Sequence, residues 1–178
     1  MITSANLCEK TLSHQSISQE PQRISPQKIG YVRALFSTYS KMEDRIAYNE
    51  KLVHRIAEQS AHSFMNTEAI VDKILARLVR KETLVRLKKK VEKLLESLPE
   101  KNATVIRLYF FEKMNTSRIT EEIGLSKRTT FRVIEKSLAT CVENLECVGL
   151  NTTVFNSLLR EYKWLENEYH NQLSQALE

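Results

Sequence analysis

Apolar side chains recur every three to four positions over most of the chain, which is the spacing of helices that bury one face. Extended runs in which apolar and polar residues alternate strictly, the pattern of half-buried strands, are missing from the sequence. Glycine and proline occur only three times each in 178 residues, so few positions interrupt the helical pattern. The sequence therefore predicts an all-α protein.

The first half of the chain is predicted to form two long helices. The first should run from about residue 26 to residue 60, because proline at Pro26 suits the first turn of a helix. A second helix over about 68–97 should follow a polar connection, with Asn66 or Thr67 as its N-cap. Two long helices joined by a short loop are expected to lie antiparallel.

The first of these helices carries an apolar stripe with one polar member. The stripe comprises Tyr39, Met42, Ile46, Asn49, Val53 and Ile56. Such spacing is typical of a coiled-coil seam, in which a polar residue can fix the register. It fits equally well a helix that packs on another helix of the same chain. The sequence fits both interpretations.

The second long helix is strongly basic in its C-terminal half. Its cations include Arg86, Lys88, Lys89 and Lys90. A basic helix can follow DNA phosphates, whose neutralisation releases counterions. The alternative is a solvated face beside an acidic stretch of the first helix. Phosphate contact by these four residues is therefore one of two hypotheses.

Residues 119–134 have the pattern of a helix-turn-helix. Gly124 follows a short helix and can adopt the positive φ that a sharp helix end requires. Ser126 is a typical N-cap, because its hydroxyl can accept a hydrogen bond from an unpaired amide of the next helix. That second helix is expected to bury Thr130, Val133 or Ile134, and Leu138. An ordinary structural αα-hairpin is the alternative interpretation.

The exposed start of the second motif helix favours nucleic acid as the partner. In this motif the second helix enters the DNA major groove, and its first residues contact base edges. Arginine bound to guanine is the commonest specific contact, and Phe131 would contact a thymine methyl group or the sugar-phosphate wall. The start of the first motif helix is suited to a phosphate. The candidate DNA contacts are Thr116, Ser117, Arg118, Ser126, Lys127, Arg128, Thr129, Phe131, Arg132 and Lys136.

The C-terminal segment is predicted to form one more amphipathic helix. Phe155, Leu158, Tyr162, Leu165 and Tyr169 repeat at intervals of three and four residues. The segment is acidic, so we do not expect it to lie on DNA. Packing on the same chain, self-association and binding of another protein are the possible roles. The first two are favoured, because this regular aromatic seam would otherwise be exposed.

Three stretches resemble region four of bacterial sigma factors. They are residues 94–100 with a leucine-proline-acid helix start, residues 105–110 with an apolar-Arg-Leu-Tyr order, and the helix-turn-helix at 119–138. Thr130 departs from the Val or Ile that is usual in the family. The layout of two long helices before this motif is also similar to that of phage late-operon activators and autolysin-regulator-type proteins. The resemblance implies a transcription regulator that binds DNA and contacts RNA polymerase.

These elements predict four parts of the chain. They are a disordered arm (1–25), a long antiparallel helical hairpin (26–97), a sigma region-four-like helix-turn-helix domain (98–148) and a C-terminal amphipathic helix (149–178). The arm is expected to be disordered because it is rich in Ser, Gln and Thr and lacks apolar periodicity.

Charge and composition agree with a polyanionic partner. The net charge is +5 and the sequence pI is about 9.1, which suits nucleic acid. The four histidines and three cysteines show no metal-ligand spacing and no catalytic grouping. We therefore expect no metal, no cofactor and no enzymatic activity. The sequence has no apolar run of the roughly 20 residues that a membrane span needs and no signal-peptide pattern, which predicts a cytoplasmic protein.

The functional hypothesis is a sequence-specific regulator of transcription that binds double-stranded DNA, with a homodimer as a further expectation. The alternative is a protein-interaction or oligomerisation module, or a sigma-like factor that acts through RNA polymerase without binding DNA on its own.

Overall fold

The computed structural model describes residues 25–60 and 66–175, and these ranges contain helices but no strand. The helices are α1 (Pro26–Ser37), α2 (Tyr39–Ser60), α3 (Thr67–Glu96), α4 (Glu100–Ile106), α5 (Thr116–Ile123), α6 (Lys127–Asn144), α7 (Thr152–Glu161) and α8 (Lys163–Gln175). A π-helical turn, Arg107–Phe111, continues α4. The predicted all-α class is confirmed. Apart from Ser25, the predicted N-terminal arm lies outside the described residues.

Helices α2 and α3 form a hairpin through a row of polar contacts. The Tyr39 hydroxyl lies 2.7 Å from Glu92 Oε1, near the start of α2 and the end of α3. Further along α2, Glu50 Oε1 lies 2.9 Å from Lys81 Nζ. Along this contact the residue numbers of α3 decrease while those of α2 increase. The two helices therefore run antiparallel.

The apolar stripe on α2 is used within this chain. Met42 is fully buried and Asn49 is 6% exposed. The side-chain amide nitrogen of Asn49 donates to the Arg45 carbonyl oxygen at 2.7 Å. Helix α2 packs chiefly on α3. Of the two interpretations of the stripe, packing on another helix of the same chain is therefore the one that the structure shows.

The single helix expected over 26–60 is interrupted at Thr38, which corrects that prediction. Thr38 has φ −102° and ψ 4°, outside regular helical geometry. Its buried hydroxyl donates to the Ala34 carbonyl oxygen at 2.6 Å. A threonine hydroxyl that bonds back four residues competes with the backbone ladder and bends helices. The break lets α1 pack on α6 and α8 while α2 packs on α3.

The buried face of α1 lies at the centre of the core. Leu35 and Phe36 are fully buried, and the Phe36 ring lies 5.7 Å from the ring of Phe110 in the π-helical turn. Tyr31 contacts the C-terminal helices, with its ring 4.0 Å from that of Phe155. Gly30 allows a close approach to α8, because a Cβ there would lie 3.0 Å from Leu173 Cδ2.

The aromatic seam predicted a single C-terminal helix. That prediction is wrong in detail, because the segment forms two helices. Tyr162 separates α7 from α8 with φ −117° and ψ 90°. The seam residues Phe155, Leu158, Tyr162, Leu165 and Tyr169 are nevertheless all buried. The seam therefore packs on the chain itself.

Short turns lead out of α6 and into α4. Helix α6 ends at Asn144, and a series of turns leads from there to Gly149. Lys90 Nζ donates to the Gly149 carbonyl oxygen at 2.8 Å, which ties this turn to α3. Pro99 lies at the N-cap position of α4 and not in its first turn.

Replacing Phe36 with alanine should lower the free energy of unfolding by about 3–5 kcal/mol, because it opens a cavity in a fully buried site. The matched control is Tyr48→Ala, since Tyr48 is 51% exposed and should change stability far less. Urea unfolding followed by circular dichroism measures both variants. A loss for Phe36→Ala no larger than that of the control would contradict the central place of α1.

Candidate nucleic-acid interface

The first helix of the motif, α5, begins at a side-chain cap. The Asn115 side-chain oxygen accepts a hydrogen bond from the Arg118 amide at 2.9 Å. Thr116, Ser117 and Arg118 form the first turn, with Ser117 and Arg118 exposed and Thr116 half-buried. Asn115 is therefore the N-cap of α5.

The turn between the two helices depends on a left-handed residue. Gly124 has φ 70° and ψ 29°, and its amide donates to the Thr120 carbonyl oxygen at 3.0 Å. A Cβ at Gly124 would meet nothing within 4 Å, so glycine is favoured there by backbone conformation and not by space. Ile119 is fully buried on the preceding helix, which fixes α5 against the core.

The second motif helix, α6, starts at Ser126 as predicted. The Ser126 hydroxyl oxygen accepts from the Thr129 amide at 3.2 Å and lies 2.8 Å from the Thr129 hydroxyl. Thr130 is fully buried, and its hydroxyl donates to the Ser126 carbonyl oxygen at 3.1 Å. A threonine thus fits where the family usually has Val or Ile, because its buried hydroxyl has a local acceptor.

The outer surface of α6 carries the predicted cations. We define the recognition face as the exposed residues Ser117, Arg118, Ser126, Lys127, Arg128, Thr129, Phe131, Arg132 and Lys136. The Phe131 side chain is 42% exposed, although phenylalanine is among the residues most often buried. On the inner side, Ile134 is buried and Val133 is half-buried. The structure thus brings nine of the ten predicted contacts to exposed positions on α5 and α6, and leaves Thr116 half-buried.

Asn102 lies beside this surface and was missed by the sequence analysis. It lines a cleft next to α6 together with Thr129, Arg132, Val133, Glu135 and Lys136. Asn102 belongs to α4, which reaches the cleft because α4 packs on α6. Nothing in the local sequence around Asn102 indicates this position, since it follows from tertiary packing alone.

We define the basic cluster of α3 as Arg86, Lys88, Lys89 and Lys90. Three of these residues have partners within the chain. Lys88 Nζ lies 2.8 Å from Glu43 Oε1, and this hydrogen bond raises the pKa of Lys88 above its usual value. Arg86 Nε lies 2.9 Å from Glu82 Oε1, and Lys90 is bonded to the Gly149 carbonyl. Lys89 is exposed. Phosphate contact by these four residues stays a prediction.

Two capped helices around a left-handed glycine define a helix-turn-helix domain, and comparison with known proteins identifies its kind. Residues 94–140 match the family model of sigma-70 region 4. This match includes α4, the π-helical turn, α5 and most of α6. The chain therefore contains a sigma region-four-like helix-turn-helix, as the resemblance implied. Such a domain is a DNA-binding and non-enzymatic kind of domain.

Curated relatives agree with this assignment. RNA polymerase sigma factor SigF of Mycobacterium tuberculosis, from strains CDC 1551 / Oshkosh and ATCC 25618 / H37Rv, is 33% identical over 90 residues. The alignment covers 51% of this chain and 32% of each relative. The chain thus spans about a third of the length of the curated relatives it matches. No solved structure matches the chain significantly. Among the described helices, none combines the length and apolarity needed to cross a bilayer.

Gly124→Ala should lower the free energy of unfolding by about 1 kcal/mol, because a Cβ disfavours the left-handed conformation. Gly124→Asn should cost less, since asparagine enters this region more readily. Urea unfolding of both variants measures the difference. An alanine variant as stable as the wild type would show that the turn does not require this conformation.

Proposed function

We propose that the protein is a sequence-specific regulator of transcription that binds double-stranded DNA through the major groove. The observation that carries the proposal is the exposed start of α6, where Lys127, Arg128 and Arg132 accompany an exposed Phe131 ring. These side chains belong to a domain that matches sigma-70 region 4. Cations at the start of a second motif helix are suited to contact base edges and phosphates at once.

Each part of the recognition face has a proposed role. Arg128 and Arg132 contact bases, preferably guanine, whose two acceptors fit a guanidinium. Lys127 and Lys136 contact phosphates or bases, and Phe131 contacts a thymine methyl group or the sugar-phosphate wall. Ser126 and Thr129 contact the backbone or a base edge.

A second proposed contact anchors the start of α5 on the DNA backbone. Backbone amides at a helix start favour an anion, although the Arg118 amide is already bonded to the Asn115 side chain. The Arg118 guanidinium adds a positive charge next to the exposed Ser117. Thr116 completes this turn. Such contacts position a protein on the duplex without selecting a sequence.

RNA polymerase is the proposed protein partner. The support is that the curated relatives are RNA polymerase sigma factors and that residues 94–140 of this chain match the family model of sigma-70 region 4. The alternative is a sigma-like factor or interaction module that acts through RNA polymerase and has little affinity for duplex DNA alone. Direct binding to DNA in the absence of polymerase separates the two.

Arg128→Ala combined with Arg132→Ala should weaken binding to a selected duplex by about 30-fold or more, because each arginine–guanine pair contributes about 1–3 kcal/mol. The fold should remain intact, since both side chains are exposed. Fluorescence anisotropy with the selected duplex and with a scrambled duplex measures the loss.

The matched control is Arg55→Ala with Arg160→Ala, which removes two exposed arginines outside the helix-turn-helix. This control should bind like the wild type at the same salt concentration. Unchanged binding by a folded Arg128/Arg132 variant would contradict the proposed base contacts.

Phosphate contact by the basic cluster on α3 is a separate proposal, and Lys89 tests it with the least disturbance of the fold. If Lys89 contacts a phosphate, Lys89→Ala should reduce the slope of log affinity against log salt by about 1. Lys51→Ala removes an exposed lysine of α2 and serves as the control. An unchanged slope for Lys89→Ala would remove this residue from the DNA interface.

A further inference from the structure

Two adjoining clefts lie where the hairpin of α2 and α3 meets the C-terminal helices. Their volumes are about 220 and 430 Å³, and Arg45, Tyr48 and Trp164 line both of them. Among the described residues that line the clefts, none belongs to α4, α5 or α6. The clefts therefore lie outside the helix-turn-helix domain. Because they share residues, a single small ligand can occupy both.

Three arginines converge on the smaller cleft. Arg45 lies on α2, and Arg77 and Arg80 lie about one turn apart on α3. In the part of the chain that the structure describes, none of the three forms a salt bridge. Lys81 differs, since its Nζ lies 2.9 Å from Glu50 Oε1. The ion pairs of the hairpin thus leave three guanidinium groups available beside one cleft.

The smaller cleft has an excess of positive charge. Lys163 and Glu161 are its other charged residues. Lys163 Nζ is paired with Glu166 Oε2 at 2.5 Å, whereas Glu161 forms no salt bridge with a described residue. The three arginines are therefore opposed by a single carboxylate. A concave site with this balance attracts a ligand that carries several negative charges.

Two aromatic rings line both clefts. Tyr48 is 51% exposed, and Trp164 is half-buried. The Trp164 ring packs beside that of Tyr162, with the ring centroids 5.7 Å apart. Aromatic rings combined with cations are typical of surfaces on which nucleobases stack. The rings therefore indicate that the ligand has a planar base in addition to its negative charge.

The larger cleft has less net charge than the smaller one. Besides Arg45, its charged residues are Lys41 and Asp44, and Lys41 Nζ lies 3.5 Å from Glu168 Oε2. Asp44 is exposed, and its carboxylate can accept hydrogen bonds from the N–H groups of a base. The smaller cleft is therefore suited to phosphates, and the larger cleft is suited to a nucleobase.

We propose that the two clefts together bind a nucleotide with more than one phosphate. Its phosphates contact Arg45, Arg77 and Arg80, and its base contacts the rings of Tyr48 and Trp164. A guanidinium presents parallel N–H donors that match phosphate oxygens. Inorganic phosphate would leave both rings without a partner, and an uncharged aromatic compound would leave the arginines without one. The site is separate from the recognition face and does not depend on the proposed DNA binding.

Isothermal titration calorimetry on the full-length protein without DNA tests the proposal, with ATP, GTP, CTP and UTP as the probes. At least one of them should bind at a single site. The matching monophosphate should bind about tenfold more weakly or worse, because it loses charge-assisted hydrogen bonds to arginine. Inorganic triphosphate should also bind about tenfold more weakly or worse, because it has no base to stack.

Tryptophan fluorescence locates the bound nucleotide, because Trp164 is the only tryptophan in the chain. A base that stacks beside this ring should quench its emission, and the quenching should follow the saturation measured by calorimetry. A nucleotide that binds elsewhere on the protein should leave the emission unchanged.

Arg77→Ala combined with Arg80→Ala should weaken nucleotide binding about tenfold or more, with the helix content unchanged in circular dichroism. The matched control is Arg55→Ala with Arg160→Ala, which removes the same charge at exposed positions that line neither cleft. The control should bind the nucleotide like the wild type. Equal losses in the two variants would show that only total charge matters, and would overturn the site.

Tyr48→Ala separates recognition of the base from recognition of the phosphates. It should weaken nucleotide binding about fivefold or more, because a stacking surface is lost, and should leave the affinity for inorganic triphosphate unchanged. The control is Leu75→Ala, since Leu75 is also 51% exposed and lines neither cleft. A Tyr48 variant that binds the nucleotide like this control would contradict the base contact.

The proposal is also overturned if none of the four nucleotides binds, if Trp164 emission ignores a bound nucleotide, or if inorganic triphosphate binds as tightly as the nucleotide. Quenching by a single-stranded oligonucleotide, without binding of any of the four nucleotides, would assign the clefts to nucleic acid instead. No duplex DNA is present in these measurements, so a failure here is distinguishable from a failure of the proposed function.

Discussion

The burial of one face of α1 connects the parts of this protein. Phe36 packs on Phe110 in the π-helical turn, while Tyr31 packs on Phe155 at the start of the C-terminal helices. Aromatic pairs add about 0.5–1.5 kcal/mol each beyond the burial of their area. Because α1 also packs on α6, the orientation of the recognition face depends on a helix that lies far from it in sequence. Contacts thus cross the boundaries of the predicted parts 26–97, 98–148 and 149–178.

The local signals of the helix-turn-helix were sufficient to predict it. Gly124 and Ser126 act through their own backbone conformation and through hydrogen bonds to residues three or four positions away. Such features can be recognised in a short stretch of sequence. Periodicity likewise predicted the inner face of α6. The sequence allowed either Val133 or Ile134 to be buried there, and Ile134 is the buried one.

The helix breaks at Thr38 and Tyr162 could not be predicted in this way. In both places the apolar spacing continues through the break, so the pattern resembles one unbroken helix. The chain bends at Thr38 because its hydroxyl donates to the Ala34 carbonyl oxygen. Not every threonine in a helix forms such a bond. The position of Asn102 beside α6 depends on packing between distant elements, which a single sequence does not display.

The distribution of charge matters more than the net charge of the chain. On α3, Lys81 and Lys88 are paired with carboxylates of α2, so part of the basic helix stabilises the hairpin. On α6, Lys127, Arg128, Arg132 and Lys136 are exposed with only Glu135 among them. Positive charge that is exposed on one rigid helix is suited to a polyanion, whereas charge that is neutralised at a helix contact is not.

A binding selection from a random pool of duplex DNA with the purified protein, repeated at two salt concentrations, tests base recognition by α6 most directly. Base contacts by α6 should enrich one short sequence motif, with affinity that falls as salt rises. Salt-sensitive binding without a motif would contradict base contacts by α6. An absence of binding at both salt concentrations would contradict the DNA-binding role itself.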